Sequence, residues 1–380
     1  MRIKILIIIG CLSVSAYSQI NKQNLEELKN YYHQTLTDNN IAGSSIYLLQ
    51  DGKVILSEFH GESQLNRKQM DDEAIYHWAS ITKTLTGIGI MQLRDRGFLS
   101  LGDLAIDYLP ELKKIYDPNG WLNKITIQSL LNHSSGLRGA TWPWKSQPWH
   151  PHEPQSWDQL VAMFPYSEIL FEPGSKWSYS NPGIIVLGRI IEEITAEDFE
   201  YYMEKNVLRP LGMLDSYYDK APPHLLSRVC HSYWYADGSY EPAIFDLNTG
   251  ITVSNGGLMA PFSDMATYLN FLMGNMPVHQ ASLVLRRESV EEMFSETIQM
   301  DQGVPIDVDY HSMGLCFFME NIYGMKMIGH SGFQNGFHTH MYFSLENNLA
   351  YLIGYNSAGP TNRAMDDEIK RYIFKNIFSK

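Results

Sequence analysis

Cysteine is scarce in this chain: its 380 residues contain three, at Cys11, Cys230 and Cys316. Thiols this few and far apart cannot staple a small disulfide scaffold, and none sits at a metal-ligand spacing from another. Cys230 and Cys316 could form at most one bridge, and two buried free thiols are the expectation. Positive charge is also short, with 29 Lys and Arg against 42 Asp and Glu and a formal net charge of -13. No basic cluster stands ready to displace counterions, which excludes nucleic acid and leaves a small molecule or peptide as substrate. Internal repeats, low-complexity tracts and obvious linkers are missing, so composition marks no domain boundary. No apolar run in the mature chain is long enough for a transmembrane helix.

What is present is a core: 44% hydrophobic and 12% aromatic residues suit a large folded domain. The N-terminus reads Met1-Arg2-Ile3-Lys4, then an apolar run from Ile5 through Val14, then Ala16-Tyr17-Ser18. A basic start, a short apolar core and a small-x-small step describe a signal peptide over 1–18, with 19–380 as the mature domain, periplasmic or secreted. Ile8-Ile9-Gly10-Cys11 offers a lipoprotein box as the lesser alternative, because Cys11 would leave an unusually short apolar core. Oligomeric state has no signature in the sequence.

Periodicity supplies the architecture. A helix is expected over 23–37, followed by a hairpin of Ser45–Leu49 and Val54–Leu56 about Asp51-Gly52. From Ile81 the period turns helical, with Ile81, Leu85, Ile88 and Met91 on one face and Gly97 as the stop. Asn181-Pro182 is expected to cap and open a further helix carrying Ile184, Leu187, Ile191 and Ile194, and another runs over 263–273. Strands return over 312–320, 326–330, 337–345 and 349–355, before a last helix over 363–378. The fold class is therefore α/β of the α+β kind: an antiparallel sheet flanked by helices, made from 19–78 and 255–380, with an inserted all-helical region over 79–254. The cleft between them is the default site.

Three short segments carry chemistry. In His77-Trp78-Ala79-Ser80-Ile81-Thr82-Lys83, the serine and lysine lie one helical turn apart, so the amine can reach the hydroxyl. A serine is a poor nucleophile until a base takes its proton, and a buried lysine can be that base. Chance alone supplies such a pair about once or twice in a chain of this length. Its apolar-aromatic approach and buried helix raise its standing. Tyr179-Ser180-Asn181 then presents a phenol able to relay a proton and an amide able to hold a carbonyl, although Asn181 taken alone reads better as a helix cap. Tyr268-Leu269-Asn270 repeats the spacing in mid-helix and reads as structural. Finally, His330-Ser331-Gly332 ends an apolar strand along whose edge a substrate could pair, with the N–H of Phe333 and that of Ser80 as an oxyanion hole.

Two other features are less telling. His338 and His340 share a strand face, but no third ligand stands at a supporting spacing, so no metal is expected. The Trp- and Pro-rich stretch 141–157 reads either as one wall of the cleft, around Trp142 and Trp144, or as a loop packed on its own aromatics.

With these segments in this order, the chain resembles the serine β-lactamase and penicillin-binding-protein superfamily, in particular its class C β-lactamase, D-alanyl-D-alanine carboxypeptidase and family VIII esterase branch. "GFLSLGDLAIDYLPEL", "ITIQSLLNHSSGL", "FEPGSKWSYSNPGIIVLGRIIEEIT", "VLRPLGML" and "SNGGLMAPFSDMATYLNFL" extend the likeness over nearly the whole mature chain. The resemblance implies a covalent acyl-Ser80, Lys83 as its partner, Tyr179 as proton-transfer assistant, Asn181 as substrate amide, and no cofactor. His330-Ser331-Gly332 stands where the family has Lys-Thr/Ser-Gly. Imidazole, with an ordinary pKa of about 6.5, is mostly neutral where lysine is a cation, which favours esters or uncharged amides over anionic β-lactams and peptide C-termini. Arg363 is the residue that could restore an anion anchor. The expected function is an exported serine hydrolase acting on an ester, amide or peptide. A β-lactamase or carboxypeptidase is the alternative, and a catalytically idle receptor on the same fold is the alternative of another class.

Overall fold

A strand that is apolar on both faces needs cover on both sides, and all seven residues of Leu349–Tyr355 are buried. The computed structural model describes residues 20–140, 154–243, 250–300 and 308–378. Nine strands form one sheet: β1 (Gly43–Gln50), β2 (Lys53–Gln64), β3 (Lys68–Gln69), β4 (Ile298–Gln299), β5 (Val308–Met313), β6 (Phe318–Ile322), β7 (Met325–Gln334), β8 (Phe337–Ser344) and β9 (Leu349–Tyr355). Their order is β3-β2-β1-β9-β8-β7-β6-β5-β4, every neighbouring pair antiparallel. The first and last long strands thus meet in the middle, from Ser44 opposite Tyr355 to Gln50 opposite Leu349.

The helices of more than ten residues are α1 (Lys22–Asp38), α2 (Thr82–Asp95), α3 (Asn181–Thr195), α4 (Phe262–Met273) and α5 (Asn362–Tyr372). Alternation along the strands sends Ile46, Leu48, Met327, Tyr351 and Ile353 to one face, where Leu28 and Tyr32 of α1 and Ile369 of α5 cover them. Leu49, Met341, Phe343 and Leu352 face the other way, into a larger core with Leu85, Ile88, Ile184, Leu187 and Leu269. The sheet is therefore the middle layer of three. Among the described residues, no helix is long and apolar enough to cross a membrane.

The apolar stripe of α2 lies inside as expected, but the burial goes much further: all of Thr82–Leu93 is buried. A helix enclosed on every side must satisfy its polar groups internally. Thr82, Thr84 and Thr86 do so by donating to the carbonyls of Ala79, Ile81 and Ser254 at 2.6, 2.8 and 2.6 Å. Tyr268 is structural, its hydroxyl donating to Thr84 at 3.0 Å. Cys230 and Cys316 are buried free thiols.

Four expectations need correction. The inserted region over 79–254 is not all helical: Tyr217–Tyr218 pairs with Leu258–Met259, and Tyr233–Ala236 forms a hairpin with Ser239–Pro242. The run 312–320 is two strands, β5 and β6, because the chain turns at Gly314–Phe317: Cys316 takes a φ of +65°, and a Cβ on Gly314 would fall 2.2 Å from the Met293 carbonyl. The last α-helix ends at Tyr372 and continues as a wider turn over Ile373–Phe378. The cap of α3 is Ser180, whose Oγ accepts from the Gly183 N–H at 3.0 Å, with Asn181 and Pro182 inside the first turn. Residues 1–18 with Cys11, and Trp142 and Trp144, lie outside the described residues.

The cap assignment is testable by denaturant unfolding. Ser180→Ala should lower stability by about 1 kcal/mol, the usual cost of losing a cap. Asn181→Ala should lower it by clearly less; the reverse order would return the cap to Asn181.

Candidate active site

A nucleophilic serine must be reachable while the amine that activates it stays dry. Along Ala74–Leu93 every residue is buried except Ser80, which is half-buried. Ser80 occupies the short turn Ala79–Ile81 that leads into α2. The turn is entered through Ala79 at a φ of +47°, a conformation that strains a residue with a Cβ.

Its surroundings hold it there. The Trp78 N–H donates to Leu258 O at 2.9 Å, its indole Nε1 donates to Ala260 O at 2.9 Å, and its carbonyl accepts from Thr339 Oγ1 at 3.3 Å. On the strand side, β7 comes so close that a Cβ on Gly332 would fall 2.4 Å from the Trp78 carbonyl and 3.0 Å from the Ala79 side chain. Glycine is required there for the strand edge to reach the serine turn.

Lys83 Nζ lies 2.9 Å from Ser80 Oγ and donates to the Asn255 carbonyl at 2.7 Å. Its side chain is fully buried. Burial removes water from the ammonium and pushes the pKa down to about 7. Near neutrality a large share of the amine is thus unprotonated, and the Asn255 carbonyl takes one N–H and leaves the lone pair for the Ser80 proton.

Tyr179 lies across from this pair, its ring centroid 5.0 Å from Lys83 Nζ. Its hydroxyl is buried, and burial raises its pKa. The Ser80 hydroxyl is near enough to offset part of that rise without forming a hydrogen bond of ordinary geometry. Tyr179 therefore rests as a neutral phenol, able to pass a proton but not to stand as a phenolate. Asn181, half-buried, accepts from the Asn255 amide at 3.2 Å.

His330 is 1% exposed, and burial together with the nearby Lys83 pushes its pKa down to about 3. Its Nδ1 lies 2.6 Å from the Ser331 carbonyl, which can only accept. The proton is therefore on Nδ1, and Nε2 is a bare acceptor, buried and without a hydrogen-bond partner among the described residues. Pairing places Gly332 opposite Thr339 and Ser331 opposite His340. Gly332 thus faces the serine turn, while the Ser331 side chain lies on the opposite face of the sheet. Phe333 is 58% exposed and packs beside Trp234 at 6.2 Å between ring centroids. Pairing of β7 with β6 stops at Gly329, so beyond it one edge of β7 has no strand neighbour among the described residues. Arg363 is exposed in the first turn of α5 and makes no hydrogen bond or ion pair with this group among the described residues.

Two members have no counterpart in the sequence reading. Asn255 contributes a carbonyl to Lys83 and an amide to Asn181; a carbonyl leaves no mark in residue type, and the only signal was Ser254-Asn255-Gly256-Gly257 itself. His133 is fully buried at a φ of +58°, with its ring centroid 4.3 Å from that of Tyr179. Its Nδ1 accepts from the Ser180 N–H at 3.2 Å, while burial, Lys83 and His330 all hold it neutral.

A serine–lysine pair at the head of a buried helix, faced by a buried tyrosine and by the edge of an antiparallel sheet, defines the β-lactamase and penicillin-binding-protein class of serine hydrolases. A family model described as Beta-lactamase matches residues 28–373, and the chain belongs to that family. It is 23% identical over 364 residues to "Penicillin-binding protein 4*" of Bacillus subtilis (strain 168), covering 93% of this chain and 75% of that protein. It is 28% identical over 196 residues to "Protein flp" of Staphylococcus aureus (strain MW2), 51% of this chain but only 38% of that protein's length. Among solved structures, the octameric penicillin-binding protein homologue from Pyrococcus abyssi superposes with a TM-score of 0.75 at 24% identity, covering 91% of this chain and 77% of its own. A class C β-lactamase gives a TM-score of 0.77 at 18% identity, covering 96% of this chain and 99% of its own. These likenesses establish the fold.

The lowered Lys83 pKa sets a pH dependence. Labelling of Ser80 by a fluorophosphonate should rise as pH increases through about 7, where the amine loses its proton, and then level off. Unfolded, the lysine holds its proton up to its ordinary value of 10.5, so between about 7 and that pH the folded state binds fewer protons and stability rises with pH. Lys83→Met removes that dependence, and should raise Tm at pH 7 while abolishing labelling. A variant less stable than the parent would mean that the amine is held comfortably charged.

Proposed function

We propose that this chain is an exported serine hydrolase that forms a covalent acyl-Ser80 and acts on esters or uncharged amides, including peptides, ahead of β-lactams. The 2.9 Å contact of Ser80 Oγ with the buried Lys83 amine carries the reading. Neutral Lys83 takes the hydroxyl proton while Oγ attacks the acyl carbonyl. The N–H groups of Ser80 and Phe333 receive the developing oxyanion. The proton then passes from Lys83, by way of Tyr179, to the departing alcohol or amine as its bond to the acyl carbon breaks. Water attacks the acyl-enzyme, gives up a proton along the same route, and releases the acid and Ser80. Asn181 steadies the substrate.

His330 supports the choice of substrate. Where the family resemblance implies a lysine, this chain offers an unprotonated Nε2, a lone pair that repels a carboxylate and accepts from a substrate N–H or O–H. The names of the relatives, penicillin-binding proteins and a class C β-lactamase, favour β-lactams as ligands or substrates instead. An idle receptor would have no use for an unprotonated lysine kept in hydrogen-bond reach of an accessible serine. The apolar N-terminal run supports export.

Purified protein and a Ser80→Ala variant, each given a p-nitrophenyl ester, a chromogenic cephalosporin, a D-Ala-D-Ala peptide and a fluorophosphonate, separate these readings. Ester turnover and labelling should fall by roughly 10⁴-fold or more in the variant. Equal behaviour of the two proteins on all four would defeat the catalytic reading, and cephalosporin turnover exceeding ester turnover would defeat the substrate choice. His330→Lys should shift preference toward substrates with a free carboxylate by about tenfold, the scale of one added charge contact. An unchanged ratio would remove His330 from substrate selection.

A further inference from the structure

The face of the sheet turned away from Ser80 carries a second group of polar residues that the serine chemistry does not use. His338 and His340, alternate residues of β8, project toward α5, which brings up Asp366. Ring nitrogens of the two histidines and a carboxylate oxygen of Asp366 all lie within 4.8 Å of one another. Asp366 and His340 are 2% and 5% exposed, and His338 is half-buried. His340 Nε2 is buried 3.0 Å from Asp366 Oδ2, its one close polar contact among the described residues. The third ligand missing from the sequence spacing is thus supplied by a helix at the end of the chain.

We propose that His338, His340 and Asp366 bind a divalent cation of the zinc class, which fastens α5 to the sheet. Two imidazoles and one carboxylate, with a fourth position open to water, match the donor set and tetrahedral habit of Zn²⁺. Bonds of about 2.0–2.2 Å set neighbouring ligand atoms about 3.3 Å apart. The His340–Asp366 separation of 3.0 Å is already close to that, and the His338 nitrogen, within 4.8 Å of both, has the remaining distance to close. Without metal, the buried carboxylate has another cation: Lys370 Nζ lies 2.9 Å from the same Oδ2 and 3.2 Å from Asp367 Oδ1. The Lys370 side chain is 25% exposed, so it can yield Oδ2 to a metal and remain with Asp367. Tyr355, whose hydroxyl donates to Asp366 Oδ1 at 3.0 Å, keeps the carboxylate oriented in either state.

The test uses the full, untagged chain after dialysis against EDTA, titrated with ZnCl₂ and, for a visible absorption signal, CoCl₂. Expected are about one Zn²⁺ per chain, a higher Tm with metal, and the intense visible bands of tetrahedral Co²⁺. His338→Ala, a change at a half-buried side chain that leaves the Asp366–Lys370 pair intact, and His340→Ala should each weaken binding by more than about tenfold. Lys370→Met should tighten it by removing the competing cation, and Ser80→Ala should leave it unchanged. No uptake at millimolar Zn²⁺, or equal affinity in both histidine variants and the parent, would overturn the site. Unchanged or weaker binding by Lys370→Met would overturn the placeholder role of the lysine.

Discussion

The burial of one amine governs the rest of the structure. An ammonium removed from water is costly, and Lys83 has two polar contacts in place of bulk solvent, the Asn255 carbonyl and the Ser80 hydroxyl. That shortage is what lowers its pKa to about 7. It requires α2 to be enclosed on every side, which in turn requires threonine hydroxyls turned back on carbonyls and a short helical segment, Val253–Gly256, laid against α2 to lend its own. The neutral histidines fit the same constraint. A charged imidazole at position 133 or 330 would add a second cation to a dry site, and both are held unprotonated.

Reach is the other constraint. On the proposed reading Ser80 meets a substrate along β7, and the strand and the serine turn approach until only hydrogen fits at Gly332. Ala79 accepts a left-handed conformation to aim the hydroxyl, held by the Trp78 hydrogen bonds on either side. A fold that spends stability on a strained turn and a dry amine at the same place concentrates its weaknesses where its chemistry is.

Much of this was legible in the sequence because it is local. Ser80 and Lys83 are one turn apart, Tyr179 precedes a strongly patterned helix, and Leu349–Tyr355 is a short apolar run buried on both faces. Contacts that join distant segments through the backbone were not legible. Nothing in Asn255 as a residue type announces that its carbonyl holds a lysine, and nothing in His133 announces a place beside Tyr179. The cap of α3 was misplaced by one residue because serine and asparagine cap equally well and stand side by side. The strand over 312–320 ran together because its apolar residues continue through the turn, where the shape of Gly314 and the φ of Cys316 decide the matter. Asp366 escaped because its partners on β8 meet it only through the docking of α5.

The pairing of β1 with β9 has a consequence for the order of events in folding. The β1 edge of the N-terminal hairpin has a strand partner only after Leu349–Tyr355 exists, and α1 completes its layer only beside α5, where Tyr31 stacks on Tyr372 at 4.3 Å and Asn24 donates to the Asn376 carbonyl at 2.9 Å. During synthesis, then, the first hairpin emerges early and waits with an unsatisfied edge for nearly the whole chain. Such long-range closure is slow and leaves an aggregation-prone intermediate. It also means that Ser80 and His330 come together late, so a nascent chain has no assembled cleft until its sheet is closed.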